Sequence, residues 1–242
     1  MTLLIDMGNS RLKWAWLEAG QLSPGIALFN QDLDREALLT SWQNLPTPKR
    51  LLIACVSQTA LLALVESLAL ELWHELEIVR IGSKAYAHGV QNAYLQPEKL
   101  GVDRWLAVVA AYHRYQTAVC VIDCGTAITV DVVDAQGKHQ GGWICPGLVL
   151  MKKSLALGTH ALELYEGDTA LGLANHTQAA IYNGTLAAAV GLVEQVIRQY
   201  DSLQLILTGG DAQLVASQLR VKCVVEPDLV LQGLAVFVEY PE

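Results

Sequence analysis

The chain opens on an apolar run, residues 2–7, interrupted only by Asp6 before a polar turn at Gly8, Asn9 and Ser10. So short and apolar a run predicts a buried strand, and residues 11–17 predict its hairpin partner, with Trp14 and Trp16 on one face. Gly20 and Pro24 punctuate a turn into a third short strand at 26–29. Helical spacing follows over 34–42, then a continuous β-rich run at 51–56. Residues 59–76 predict an apolar helix capped near Ser57 or Thr59, and 77–81 another strand. The first half reads β-β-β-α-β-α-β.

Periodicity is lost over residues 82–101, GSKAYAHGVQNAYLQPEKLG. A loop of about twenty residues inside a compact domain is often functional. It leads into GVDRWLAVVAAYHRY, an amphipathic helix with Asp103 and Arg104 in its first turn. Unpaired backbone N–H groups and the positive end of the dipole make that turn a seat for an anion. Three strands then repeat the opening pattern, at 118–123, 127–134 and 138–144. GGWICPGLVLMKKSLAL turns through Pro146 and Gly147 into a helix carrying Lys152 and Lys153. A long helix over 177–200 precedes a strand at 203–207 that ends in TGGD, 208–211, with Asp211 capping a short helix. A strand at 222–225 and a helix at 229–238 close the chain. No linker or low-complexity segment divides the halves, so they are expected to pack closely with a cleft between them.

Asp6, Gly8 and Gly20 recur as Asp123, Gly125 and Gly137, each 117 residues on, and Ile5 falls on Ile122. Ser10 lies one place from the second copy's Thr126. One Asp-x-Gly means little, whereas two at matched spacing point to a duplicated hairpin and a molecule of two related halves.

The chain has 242 residues, 52% apolar and 17% charged, which is globular α/β composition. It can bury about 70–75% of its unfolded surface. A net charge of −8 argues against a nucleic-acid-binding surface, which needs clustered Lys and Arg. The five cysteines, Cys55, Cys120, Cys124, Cys145 and Cys223, include no CxxC pair. They read as reduced structural thiols of a cytoplasmic protein. No signal peptide is expected at residues 1–7, and no apolar run free of charge or turn residues reaches the ~18 residues of a membrane span, so a soluble protein is expected.

Glycine at each hairpin lets backbone approach a ligand, and the adjacent amides and hydroxyl can bond phosphate oxygens. Lys13 adds positive charge, and Asp6 at a strand end suits a hydrated Mg²⁺. The second copy offers Asp123, Gly125, Thr126, Ala127, Thr129 and Asp131. Two such hairpins facing across a cleft are the plan of actin- and hexokinase-type ATPases, with TGGD passing close to the nucleotide. The expectation is an α/β protein of two duplicated RNase H-like (actin-like ATPase) domains with an interdomain cleft. Residues 1–116 would hold the first phosphate hairpin and GVDR. Residues 117–242 would hold the DCGTA hairpin, the TGGD loop and a dimer face.

DMGNSRLK at 6–13, GVDR at 101–104, DCGTAITVD at 123–131 and GGWICPG at 141–147 stand in one order. With the weaker TGGD and LVLQGLAVF, they give a chain that resembles type III pantothenate kinases. The resemblance implies ATP-dependent phosphorylation of pantothenate, the first step of coenzyme A synthesis, by a homodimer. It implies that Asp6, Met7, Gly8, Asn9, Ser10, Arg11, Leu12 and Lys13 bind ATP phosphates, with Asp6 near Mg²⁺ and Thr126 touching ATP. Gly101, Val102, Asp103 and Arg104 would hold pantothenate, Arg104 gripping its carboxylate or a neighbouring oxygen and Asp103 serving as general base. Asp123 would coordinate a monovalent cation, potassium or ammonium. Tyr94 and Thr177 match substrate-pocket positions. Val102 stands where alanine is frequent, and Trp105 after the arginine marks a subset; neither position carries the chemistry.

A rival within the fold is another actin-like sugar or acid kinase. A rival of another class is a non-catalytic regulator, which should lack Asp6, Asp103 or Asp123, and this chain has all three. His74, His113, His139 and His176 lack metal-like spacing and read as surface or cap residues, while His88 and His160 could border the substrate pocket. Trp14, Trp16, Trp73 and Trp105 read as core or interface, and Lys152 and Lys153 as a solvated face. Residues 187–191, Ala187 to Val190 with Gly191, are candidates for the dimer face.

Overall fold

A computed structural model of the chain describes residues 1–157, 172–200 and 202–240. The chain divides into two compact units, Met1–Arg114 with Asp228–Glu242, and Tyr115–Pro227. The first contains β1 (Thr2–Met7), β2 (Arg11–Glu18), β3 (Gln21–Leu22), β4 (Ile26–Phe29), α1 (Arg35–Trp42), β5 (Arg50–Cys55), α2 (Thr59–Leu72) and β6 (Glu77–Arg80). A small hairpin, β7 (Tyr86–Ala87) and β8 (Val90–Gln91), precedes α3 (Val102–Tyr115). The second contains β9 (Val119–Cys124), β10 (Ala127–Val133), β11 (His139–Pro146), α4 (Leu148–Leu157), α5 (Thr177–Ile197), β12 (Gln204–Thr208), α6 (Ala212–Gln218) and β13 (Val224–Val225). The last helix, α7 (Leu229–Glu239), packs on β1, β2 and β5 of the first unit, whereas the sequence reading assigns it to the second half.

The two sheets share one topology. The first runs β3-β2-β1-β5-β6 with β4 also on β2, the second β11-β10-β9-β12-β13. In each, the opening hairpin is antiparallel and the two strands beyond it are parallel. The duplicated sequence signal is therefore a duplicated strand order. Asp6 faces Lys13 in the first ladder and Asp123 faces Thr129 in the second, because the second turn is one residue shorter.

Each unit has its own core. In the first, Leu3, Ile5, Met7 and Leu12 meet Leu38, Val65 and Leu68. Trp42 stands edge-on to Trp14 at 6.0 Å and stacked on Trp73 at 5.7 Å. Trp73 turns into this cluster, and α2 stops at Leu72 rather than reaching residue 76. The residue before α2 is Gln58, which makes no side-chain cap, unlike Asp34, which accepts the Ala37 amide at the start of α1. On the opposite face α7 crosses α3 at Gly233, where a Cβ would run into the carbonyl of Leu106. In the second unit Cys120, Ile122, Val130 and Leu207 pack against Leu186, Ala189, Val190 and Val193 of α5. By length and composition α5 could cross a bilayer, yet this buried stripe makes it the central helix of that core. Ala189 and Val190 are thereby committed inside, leaving Ala187 and Ala188 exposed among the residues read as a dimer face.

The unperiodic stretch 82–101 is held from within. Asn92, 8% exposed, donates to the carbonyls of Lys84 and Pro97 and accepts the Tyr94 amide. His88 (φ +47) and Gly89 (φ +85) make the two-residue turn between β7 and β8. His74 is exposed, His113 is half-buried against the Tyr240 ring, and His176 accepts the Ala179 amide as the N-cap of α5. His139 departs from the surface reading: it is fully buried, and its Nε2 lies 2.9 Å from Asp131 Oδ1. It sits opposite Val133, on the face of β10 that Asp131 shares, so the hairpin delivers it to the carboxylate.

Candidate active site

Three turns collect the residues predicted to do chemistry. In the first unit, β1 carries a half-buried Asp6, and the chain reverses through Gly8, Asn9 and Ser10. The Gly8 amide donates to Arg11 O at 3.0 Å. Met7 and Leu12 send their side chains into the core, so they offer a ligand only backbone, while Asn9, Ser10 and Arg11 are exposed. The Arg11 guanidinium lies 4.5 Å from the centre of the exposed Phe29 ring. Lys13 Nζ is 3.9 Å from Asp228, whose other oxygen accepts the Gly25 amide.

In the second unit the equivalent amide, Gly125, donates to Ala127 O at 3.0 Å, with Thr126 exposed at the tip. Two glycine-bearing segments press against this turn. The Gly147 amide donates to Thr126 O at 2.9 Å, and a Cβ there would collide with the Gly125 carbonyl. Gly209, of the TGGD segment, has φ +91, and a Cβ there would overlap Asp123 Oδ1 and the Cys124 carbonyl. The Asp211 amide then donates to Cys124 O at 3.0 Å; Asp211 stands at the N-cap of α6, but its side chain does not cap the helix. Asp123 is thus half-buried among backbone carbonyls and amides. Burial raises the Cys124 thiol pKa, so it stays a neutral neighbour.

The third turn opens α3. Arg104 is 7% exposed, and its Nη1 donates to the Tyr94 hydroxyl at 2.9 Å. Asp103 folds back so that its Oδ1 accepts the Arg104 amide at 2.8 Å. A Cβ on Gly101 would lie 2.5 Å from that same oxygen, so a side chain there would push the Asp103 carboxylate aside. Val102 is buried behind the turn. Tyr94, Gly101, Asp103 and Arg104 therefore form one group, a carboxylate and a guanidinium at a helix start. Thr177 is exposed at the first position of α5, in the other unit. The His88 ring packs edge-on to Phe237 of α7 at 4.4 Å, and His160 lies outside the described residues.

Among the described residues no three His, Cys, Asp or Glu side chains cluster as a metal site. The carboxylate of Asp6 fits a magnesium ion that takes its other ligands from phosphate and water. At Asp123 the oxygens at hand are its carboxylate and the Cys124 carbonyl, both close to the Gly209 backbone.

The type III pantothenate kinase family description matches residues 2–199. The chain belongs to the type III pantothenate kinase family. Among curated members, it is 38% identical to the type III pantothenate kinase of Nitrosococcus oceani, covering 97% of this chain and 92% of that one. Against the Pseudomonas aeruginosa type III pantothenate kinase it is also 38% identical, over 97% and 98% of the two chains. Among solved structures, a Campylobacter jejuni protein of the Baf family, described as a transcriptional activator, superposes with a TM-score of 0.64 at 20% identity, over 99% and 98% of the chains. The ethanolamine utilization protein EutJ of Carboxydothermus hydrogenoformans does so at 0.56 and 15% identity, covering 97% and 89%. These likenesses show the fold alone, and they fit the strand order repeated in the two sheets. Sequence reasoning missed two props of the kinase's turns, Asn30 and Asn92, whereas Gly209 was singled out within TGGD by a glycine pair straight after a strand.

Proposed function

We propose that the chain phosphorylates the primary hydroxyl of pantothenate with ATP, giving 4'-phosphopantothenate, the first step of coenzyme A synthesis. Supporting this reading is the start of α3, where a buried guanidinium held by a tyrosine hydroxyl stands beside the Asp103 carboxylate. Arg104 is suited to the pantothenate carboxylate, because a planar fork already fixed by one partner loses little entropy in gripping another. Asp103 accepts the hydroxyl proton. Phosphoryl transfer passes through a loose transition state in which the proton leaves late, so orienting the alcohol matters more than the base's strength.

The ATP phosphates are assigned to the turn at 6–13 and to Thr126. Asp6 would meet the Mg²⁺ that comes with the nucleotide, which would supply charge neutralisation. Asp123 is assigned the monovalent cation, potassium or ammonium. The enzyme works in the cytoplasm as a homodimer, without nucleic-acid or membrane partners. Exposed Trp143, Ile144, Val149, Leu150 and Leu155 on β11 and α4 supply apolar surface for a second copy.

A coupled ADP-release assay with pantothenate, run with and without potassium, tests the reading. Pantothenate-dependent turnover that rises with potassium is the expected result. Turnover with a sugar instead of pantothenate would assign the chain to another kinase of the fold, and no ATP consumption with any small alcohol would make it a regulator.

A further inference from the structure

The residue that follows β4 is Asn30, and it grips the first phosphate turn at two points. Its amide donates to Ser10 O at 2.9 Å and its side-chain Nδ2 donates to Gly8 O at 2.9 Å. The carbonyls at both ends of the Gly8–Ser10 reversal are thereby fixed. Asn30 Oδ1 is itself buried and has no hydrogen-bond partner among the described residues, so the side chain is kept in place despite an unmet acceptor.

The second unit supplies the control. Arg11 pairs with Phe29 at the end of β4, and Ala127 pairs with Pro146 at the end of β11. One residue further on, Asn30 and Gly147 make the same bond, an amide to the carbonyl of the residue preceding the second strand. Asn30 and Gly147 are thus equivalent positions of the duplication. In the second unit the backbone at Gly147 presses directly on the Gly125 carbonyl, leaving no space for a side chain. The first turn is one residue longer, and the asparagine side chain fills the added distance to the matching carbonyl, Gly8 O.

We propose that Asn30 is a positioning residue for the nucleotide, setting the direction of the turn amides that meet phosphate. The proposal rests on assigning residues 6–13 to ATP. Fixed amides act on phosphate only when already aimed, so loosening the turn weakens nucleotide binding without touching the pantothenate group.

The test uses full-length Asn30→Ala, Asn30→Asp and Asn30→Gln. Affinity for a non-hydrolysable ATP analogue is measured by calorimetry, with KM for ATP and for pantothenate and amide hydrogen exchange across residues 8–10. Losing one such hydrogen bond weakens nucleotide binding by about three- to tenfold in Asn30→Ala. Asn30→Asp, isosteric but without the donor, behaves no better, and Asn30→Gln, which keeps the donor, recovers part of the loss. KM for pantothenate stays put and exchange at 8–10 quickens. Unchanged analogue affinity in all three variants overturns the proposal, as does a parallel rise of both KM values with a falling melting temperature. Because analogue binding is read without turnover, a chain that binds nucleotide but ignores pantothenate would sink the substrate assignment alone.

Discussion

His139 Nε2 lies 2.9 Å from Asp131 Oδ1, with 0% and 2% of the two side chains exposed. Removing one partner takes this contact from the other in the interior, where a lost polar partner is costly. Each of His139→Ala and Asp131→Ala is expected to destabilise the fold by ~3–5 kcal/mol. The double substitution should cost clearly less than the two added together. Urea unfolding of the four proteins measures this, and strict additivity would show that the pair is not coupled.

That pair also marks where sequence reading stopped. The strands at 2–7 and 119–124 were legible because each is an apolar run broken by a single aspartate, and the 117-residue offset gave away the repeated hairpin. His139 was not, since the ladder shifts register between Val132 and Val133 and the glycines after it blur the alternation that would have placed it inside. Asp103 and Arg104 were readable from a helix start, whereas the bond from Arg104 to Tyr94 depends on a loop organised by Asn92, and an asparagine in a loop carries no distinctive pattern. The final helix looked like part of the second half because it follows it in sequence. Packing against β1, β2 and β5 assigns it to the first.

Gly209 and Gly141 share a left-handed backbone, φ +91 and +96, but differ in surroundings. Nothing stands within 4 Å of a Cβ at Gly141, while one at Gly209 would overlap Asp123 Oδ1. Gly141→Ala should therefore show only the backbone strain, ~1–2 kcal/mol. Gly209→Ala adds displacement of Asp123, so its turnover should fall at least tenfold further and respond less to potassium. Equal activity in the two variants would remove Asp123 from the site.

Burial pushes the Cys120 thiol up to about 12, with the nearby Asp131 charge adding to it, and burial raises Cys124 as well. The folded state thus holds both protons more tightly than the unfolded chain, whose thiols titrate near 8.5. The stability this contributes is complete below that pH and is lost as pH rises toward 12, at up to ~1.4 kcal/mol per unit for each thiol. Urea midpoints should fall between pH 8.5 and 10.5 more steeply for the native chain than for Cys120→Ala. At pH 8 a thiol reagent should modify Cys120 and Cys124 only as fast as the chain unfolds.

Arg104 and Asp103 are adjacent yet should separate cleanly in kinetics. Asp103→Asn keeps size and polarity but cannot take the hydroxyl proton, so kcat should drop by ~10²–10⁴-fold while nucleotide binding survives. Gly101→Ala tests the same group indirectly: its Cβ would lie 2.5 Å from Asp103 Oδ1, and it should lower kcat in proportion to how far the carboxylate is pushed. Arg104 acts on binding. Tyr94→Phe removes the acceptor that aims Nη1, and the KM for pantothenate should rise about three- to tenfold with kcat little changed. Arg104→Lys keeps the charge but loses the planar fork, so the same KM should rise further and Tyr94→Phe should add little on top of it. An unchanged pantothenate KM in Arg104→Lys would free the guanidinium from the carboxylate. An unchanged kcat in Asp103→Asn would leave the alcohol to be activated by some other group.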